Sequence, residues 1–547
     1  MVETRPGAGQ QATGQAAGTP AGAGERPGWL PFALPFVVPF AAELVVGGYR
    51  IAGPSLWRDE AATISGSQRP VGAIMDLITH QDAVHGFYYL IMHVVIAAGG
   101  ISATTLRLPS LIAMALTAGL TGVLGRRLAR LTGLAAPSAI GLLGGLALVA
   151  VPLTTRYAQE ARPYALASLF AVLATYLLVR AAGAGRWPWW AGYAAAVVLT
   201  GLFNLFALLL VLAHGLSLAW ARTRVADGAE RESGPGPAVP AERTAWWGWL
   251  GACVLAGVLL APLAIFSVRQ AGQLSWVTRP DPSTVASLMR DFAGSDLALP
   301  FVALLAVLGC AGGPGLRRGR GLSLAVVALP WLLLPPVLLL AISLADPLYV
   351  ERYVVFCLPA LSLLVAAGLV WLVRLTADAA ARRGLDGRRA QAVAVLPSAL
   401  LAVVVLAVLV SPQLAIRKPT ARADDLRAVS AVLAAHERAG DAVLYLPWDT
   451  AVVGMAYPAP FARLRDIGLG TSPIASATLR GLPARPSVLA ARLRTVRRVW
   501  AVQWTPSQPS VGPAGQGSTS VLTSAGFLLV RRWRIQSVFL SLYAARS

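Results

Sequence analysis

The sequence predicts an α-helical polytopic membrane protein with a small α/β domain at its C-terminal end. Three observations predict this class. Of the 547 residues, 56% are hydrophobic and only 13% are charged, and the mean hydropathy is +0.63, as expected where lipid surrounds much of the chain. The apolar residues gather into about eleven runs near the length a bilayer core demands. After Ser411 the long runs stop, and short helix and strand patterns replace them.

In chain order, residues 1–28 are rich in Gly, Ala, Gln and Pro without apolar periodicity, and are expected to form a disordered cytoplasmic tail. No basic segment abuts a cleavable apolar stretch, so 30–46 reads as a retained first membrane helix despite Pro35, Pro39 and Glu43. Further spans are expected at 106–124, 137–153, 164–179, 187–202, 203–220, 246–266, 299–310, 322–344, 353–373 and 392–410. The run 87–98 is only about a dozen residues long and contains His93, which suits an interfacial or re-entrant segment better than a span.

That choice fixes the expected topology. With 87–98 lying flat, the arginine clusters at 126–130, 180–186, 222–243, 317–320 and 374–389 fall on the N-terminal side, which the positive-inside rule makes cytoplasmic. The same rule accounts for much of the net charge of +21 (46 Lys and Arg against 25 Asp and Glu) without invoking a nucleic-acid partner. The opposite, outer loops are then 49–105, 154–163, 267–298 and 345–352, plus everything after 411. Three domains result: the tail 1–28, a membrane domain 29–411 containing the outer loop 49–105, and an extracytoplasmic α/β domain 412–547. Cys253, Cys310 and Cys357 each lie in an apolar run and read as small core residues, not as a disulfide or metal framework.

In the last domain, Asp424-Asp425-Leu426-Arg427 opens a helical pattern running to Arg438. Strands are expected at 442–446, 498–503 and 527–531. No internal repeat, phosphate loop or zinc spacing is present in the sequence.

The outer loops hold nearly all the unusual polar residues, among them Trp276, Asp291 and Glu351, and polar outliers on one face point to one site. Four segments matter together: Trp57-Arg58-Asp59-Glu60; Asp82-Ala83-Val84-His85-Gly86-Phe87-Tyr88-Tyr89 with Arg107 beyond it; Arg156-Tyr157-Ala158-Gln159-Glu160-Ala161-Arg162-Pro163-Tyr164; and Asp346-Pro347-Leu348-Tyr349-Val350-Glu351-Arg352-Tyr353. Acids beside lipid are costly and are usually paired or functional. The plainer readings are a solvated Asp-Glu pair flanked by Arg58, helix-end snorkelling for Arg162 and Arg352, and interfacial-belt aromatics for Tyr88, Tyr89, Tyr157 and Tyr164.

Together these segments resemble the lipid-dependent glycosyltransferases of the GT-C superfamily, specifically the family-39-like group of protein O-mannosyltransferases and aminoarabinose transferases. The resemblance covers most of 40–375. It rests on the Asp-Glu pair and on Arg-Tyr-Ala-Gln-Glu-Ala-Arg-Pro-Tyr. Many relatives carry His-Pro-Pro before Leu-Tyr-Tyr, whereas this chain has His85-Gly86-Phe87-Tyr88-Tyr89, which leaves the acceptor open. The resemblance implies transfer of a hexose, mannose in the first instance, from a polyprenyl-phosphate sugar to an envelope acceptor on the outer face of the cytoplasmic membrane. It implies Asp59 as the base, with Glu60 orienting the acceptor or the loop. Arg162 and Arg352 suit the donor phosphate, because arginine grips phosphate in a bidentate fork. Asp82, His85, Tyr88, Tyr89, Arg107, Gln159 and Glu160 complete the candidate site.

The expected partners are the lipid-linked donor, a glycan, lipid or protein acceptor, and membrane lipid. The scheme requires no metal or other cofactor, although Asp59, Asp82 and His85 offer an alternative divalent-cation set. The competing class is a transporter or lipid flippase, which typically shows repeats and polar, broken helices at mid-membrane. A non-catalytic envelope protein with a glycan-binding tail is the third.

Overall fold

The structure, a computed structural model, describes residues 30–134, 136–229, 239–311, 321–385, 387–505 and 519–546. The tail expected at 1–28 and the arginines at 317–320 lie outside the described residues. Each expected apolar run is helical. In chain order the helices are α1 (Leu30–Gly48), α2 (Arg58–Ser67), α3 (Val71–His80), α4 (Gly86–Gly99), α5 (Ala103–Leu131), α6 (Pro137–Ala150), α7 (Pro152–Ala158), α8 (Tyr164–Ala184) and α9 (Trp187–Phe203). There follow α10 (Leu209–Ala229), α11 (Val239–Arg269), α12 (Pro282–Ala293), α13 (Leu299–Ala311), α14 (Leu324–Ala345), α15 (Leu358–Arg382), α16 (Gly387–Ala415) and α17 (Leu426–His436).

Among the described residues, seven helices are long and apolar enough to cross a membrane, or eight if α6 and α7 form one span bent by 70°. The chain is a multi-pass membrane protein. The expected count of about eleven exceeds this for a physical reason. The bend falls at Val151-Pro152, where proline has no N–H to continue the helix ladder. The helices α9 and α13 have 17 and 13 residues. Close packing holds the bundle where side chains vanish: a Cβ on Gly309 would lie 2.0 Å from the Leu364 carbonyl oxygen, and one on Gly368 would lie 1.9 Å from that of Leu305. Small residues that let backbones approach this closely supply the packing that hydrophobicity cannot supply in lipid.

The segment 49–105 is ordered, not an open loop. Asp59 and Glu60 occupy the first turn of α2, where the helix dipole favours negative charge. The 87–98 run forms α4, 14 residues long, in keeping with a segment too short to span.

The C-terminal region forms a five-stranded sheet in the order β2-β1-β5-β7-β6. Its strands are β1 (Ala442–Leu446) and β2 (Arg465–Asp466); β3 (Leu469–Thr471) and β4 (Leu482–Pro483) form a separate pair, and β5 (Arg498–Trp504), β6 (Phe527–Ile535) and β7 (Val538–Ala545) complete the sheet. Strand β1 is parallel to β2 and β5, and β7 runs antiparallel to both β5 and β6. Strand β1 has the expected bounds, β5 and β6 run on past the expected ends, and β2, β3, β4 and β7 were not foreseen. Val538, Leu540, Leu542 and Tyr543 are buried in β7 while the β6 partner is largely exposed, so neither strand carries a simple alternation.

The sheet is built onto α2 and α4. Leu56, Ile64 and Tyr88 share one buried apolar cluster with Leu426, Val453 and Trp500.

Candidate active site

Asp59 stands where three arginines converge. Its Oδ2 lies 3.4 Å from Arg352 Nη1, and its backbone carbonyl accepts from Arg162 Nη1 at 3.3 Å. Arg58 adds a third positive charge beside it. Burial pushes the Asp59 carboxyl up, but Arg352, Arg162 and Arg58 outweigh that and hold it below the usual carboxylate range. Among the described residues, Asp59 Oδ2, Arg162 Nε and Arg352 Nε are buried without a hydrogen-bond partner. Arg352 also lies over the rings of Trp276, 5.4 Å from its centroid, and Tyr353, at 5.8 Å. Stacking of this kind fixes the plane of a guanidinium.

Asp82 is spent on a different task. It occupies the left-handed region at φ 61° just before a 3₁₀ turn over Ala83–His85. Its Oδ1 lies 2.6 Å from His85 Nδ1, and its Oδ2 accepts from the Tyr89 hydroxyl. Arg162 Nη2 lies 2.7 Å from His85 Nε2. A guanidinium only donates, so Nε2 accepts and the proton sits on Nδ1, facing Asp82. His85 is thus the neutral tautomer, and burial followed by the Arg162 charge lowers its pKa accordingly. The relay Asp82–His85–Arg162 orients the arginine that reaches Asp59.

Both shifts have the same sign for stability. The neighbours of Asp82, His85 above all, overcome burial and hold its carboxyl well below the ordinary range. Its contribution is complete above the ordinary carboxylate value of about 3.9 and is lost as the pH falls below that. The His85 contribution is present above the ordinary value of 6.5 and drains as the pH falls towards its lower folded value. The unfolding midpoint is expected to hold steady from about pH 9 to about pH 7 and to fall below about pH 6.5, with a shallower fall in His85→Asn. Thermal scans across this range test it; a midpoint that rises on acidification would contradict the assignment.

Glu60 and Arg107 are brought together away from this centre. Arg107 Nε donates to Glu60 Oε1 at 2.8 Å and Nη2 to Oε2 at 2.7 Å, with both side chains fully buried. The remaining Arg107 donors reach the carbonyls of Ile51, Pro54 and Ser55, and Ala161 N–H donates to Glu60 Oε1 at 2.9 Å. This network ties the segment before α2 to α5 and to the Ala161 turn, which orients the loop. Glu60→Ala leaves a buried guanidinium uncompensated and is expected to cost roughly 3–5 kcal/mol of stability. Chemical denaturation in detergent micelles measures it, and an unchanged midpoint would refute the structural role.

Of the other sequence candidates, Gln159 Nε2 donates to the carbonyls of Gly47 at 2.7 Å and Tyr49 at 2.9 Å, anchoring the end of α1. Glu160 lies 3.8 Å from Arg422 Nε, and burial raises its pKa despite Arg422 and Arg156. Tyr88 is buried in the cluster shared with the sheet. Among the described residues no group of three His, Cys, Asp or Glu side chains is placed to hold a metal ion.

Sequence reasoning missed the residues supplied from beyond 411. Asp424, fully buried, accepts from Arg58 Nε at 2.8 Å and Nη2 at 2.6 Å, and from the Arg58 backbone N–H at 3.2 Å. Arg58 in turn lies 4.1 Å from the Trp504 ring centroid. The C-terminal sheet thereby clamps the residue next to Asp59. The Asp424-Asp425 pair was visible as a helix start, but nothing local in it pointed to Arg58. Asp424→Asn is expected to lower the unfolding midpoint, because it removes the charge that pairs with Arg58 and holds the start of α2. Thermal unfolding in nanodiscs measures this, and an unchanged midpoint would refute it.

No family model matches the chain, and no curated protein matches it. Solved structures do. The chain is similar to ArnT from Cupriavidus metallidurans bound to undecaprenyl phosphate, with TM-score 0.56 and 15% identity over 92% of this chain and 97% of that one. The apo form of ArnT matches with TM-score 0.56 and 17% identity over the same 92% and 97%. The archaeal oligosaccharyltransferase AglB from Archaeoglobus fulgidus, in complex with an inhibitory peptide and a dolichol-phosphate, matches with TM-score 0.49 and 11% identity over 86% of this chain and 69% of that one. The likeness to ArnT is one of fold, and it spans nearly the whole of both chains.

Proposed function

We propose that the chain is a membrane glycosyltransferase that moves a hexose from a polyprenyl-phosphate sugar to a hydroxyl acceptor. The observation that carries the reading is the convergence of Arg162 and Arg352 on Asp59, with donors on both arginines unspent inside the protein. A phosphate leaving group needs positive charge placed in advance, and a fork of N–H groups matches its oxygens. The fold shared with ArnT, a protein crystallised with undecaprenyl phosphate, supports a lipid-linked donor.

In the reaction the acceptor oxygen forms a bond to the anomeric carbon as the bond from that carbon to the phosphate oxygen breaks. The acceptor proton passes to Asp59, and the bonding electron pair leaves on the phosphate, whose charge Arg162 and Arg352 balance. Asp59 is ionised at neutral pH and available to accept, whereas both oxygens of Asp82 are engaged. Cationic charge comes from the arginines, so the scheme draws on no metal. We place the site on the outer face of the cytoplasmic membrane and take mannose as the first sugar to test.

The test is release of undecaprenyl phosphate from undecaprenyl-phosphate sugars by the purified protein in nanodiscs, with a membrane extract as the acceptor source. Turnover of the mannose-linked donor is expected. Absence of turnover with every sugar, together with protein-dependent movement of the lipid across liposome bilayers, would establish the flippase reading instead.

A further inference from the structure

Helices α5 and α8 both begin beside the catalytic centre and carry arginines to the opposite face of the membrane domain. On α5, Arg127 lies 20 residues past Arg107, about 30 Å along the axis. On α8, Arg180 lies 16 residues past Tyr164, about 24 Å along the axis. Both helices are long and apolar enough to cross a membrane, and these rises approach the thickness of a hydrocarbon core, about 30 Å. Arg127 and Arg180 therefore stand at the far membrane surface, where the transfer chemistry has no use for them.

The two guanidiniums are brought together without a counter-charge. Arg127 Nη2 reaches the last turn of α8, where a Cβ added to Gly183 would lie 3.8 Å from it. Arg180 lies within electrostatic range of Arg127, and the other group in that range is the neutral Tyr176 phenol. The Nε of each arginine is buried without a hydrogen-bond partner, and neither arginine forms an ion pair among the described residues. The neighbouring chain supplies no anion: 120–136 and 176–193 hold five arginines and no Asp or Glu. Like charges side by side repel, and a buried N–H without an acceptor is costly. An anion with several acceptor oxygens, seated between the two side chains, removes both costs. Arg180 also lies over the Trp189 ring, 4.4 Å from its centroid, which fixes the plane of its guanidinium. At the same face Trp187, at the start of α9, is 77% exposed, and Leu131, at the end of α5, is exposed as well.

We propose that Arg127 and Arg180 form a headgroup site for an anionic diacyl phospholipid, in the leaflet opposite the catalytic centre. Two planar forks suit the oxygens of one phosphodiester. The exposed Trp187 and Leu131 suit the interfacial and acyl parts of a lipid, which a free phosphate ion lacks. A zwitterionic headgroup brings a cation that two arginines oppose, so a net negative headgroup is selected. Snorkelling to water would satisfy either arginine alone, but it would not turn Arg127 onto α8 towards a second cation. A lipid bound here clamps the far ends of two helices, one carrying Arg107 at its near end and the other following directly on Arg162. The binding does not depend on the glycosyltransferase reading.

The experiment uses the full chain in detergent micelles, stripped of lipid. Native mass spectrometry counts the lipids retained as phosphatidylglycerol or phosphatidylcholine is added. The wild type is expected to retain phosphatidylglycerol in preference to phosphatidylcholine. Retention is expected to be at least about tenfold weaker in Arg127→Gln and in Arg180→Gln, the scale of one lost charged hydrogen bond. Arg383→Gln, which removes an exposed arginine at the end of α15, is expected to match the wild type. Thermal unfolding reports the folding of each variant. If a glutamine variant fails to fold, Arg127→Lys or Arg180→Lys takes its place; each keeps the charge, loses the fork and is expected to retain the lipid more weakly than the wild type. Equal retention of the two lipids by the wild type, or equal phosphatidylglycerol retention by folded variants and wild type, overturns the proposal. So does an equal loss in Arg383→Gln, which would mean diffuse surface charge. Inorganic phosphate is added as a competitor, and displacement of the lipid by phosphate alone would assign the pair to a free anion and overturn the lipid reading.

Discussion

Asp59→Asn is expected to abolish sugar transfer while the protein still inserts and folds. The substitution keeps the shape of the side chain and its place in the first turn of α2, and removes only the charge and the ability to accept a proton. A positioned base contributes about 10²–10⁴-fold to such a step, so turnover should fall by that order. Donor affinity should not fall with it. Arg352, 3.4 Å from the Asp59 carboxylate, loses a competing anion and remains available to phosphate. A drop in turnover at unchanged or tighter donor binding is the signature of a group that acts mainly in the transition state. The measurement is turnover and donor affinity of the variant in nanodiscs, with thermal unfolding as the control for folding. Substantial turnover by the asparagine variant would show that another group takes the proton, and Asp82 would be the next candidate. Its two oxygens already hold His85 and Tyr89, so that outcome would also require the relay to open.

The second large effect is on the donor. In Arg162→Lys or Arg352→Lys the charge survives and the planar fork is lost. Donor affinity is expected to fall by roughly 1.5–3 kcal/mol in each, the scale of a charged hydrogen bond. The two variants should differ in what accompanies the loss. Arg162 also donates to His85 Nε2, so its replacement disturbs the relay and turnover together. Arg352 is held over Trp276 and Tyr353, and its replacement loses stacking but leaves the relay intact. Titration with undecaprenyl phosphate measures the affinity. Wild-type affinity in both variants would mean that these arginines only anchor their segments, and that the phosphate is held elsewhere. Arg156 would then be a further cation to test, because it lies within electrostatic range of Glu160, Glu351 and Arg352.

Much of this centre was legible before the fold was known, and the reason is local. Asp59 and Glu60 stand out because acids beside lipid are costly, and Arg162 is one of six polar or aromatic residues within Arg156–Tyr164, a density that no ordinary span would contain. What the sequence did not separate was the two members of the acidic pair. Successive residues on a helix point about 100° apart, so Asp59 turns to Arg352 while Glu60 turns into the bundle to Arg107. The pair reads as one motif and works as two unrelated groups. The strand β7 was missed, and the expected spans outnumber the seven or eight helices that meet the length test among the described residues, because short or bent elements give weak periodic signals.

The sequence by itself determined the membrane class, the position of the apolar helices and the set of polar segments that had to meet. Hydrophobicity and short motifs are properties of neighbouring residues, so they survive without a fold. Only the tertiary structure decided which arginine each of the two acids faces. It alone joined Arg58 to Asp424 across 366 residues of sequence and brought Arg480 within electrostatic range of Asp59 and Asp82. Such contacts are set by how the sheet docks on α2 through Leu56, Ile64 and Trp500. Docking depends on the shape of two packed surfaces, and no pattern within either partner encodes where the other will land.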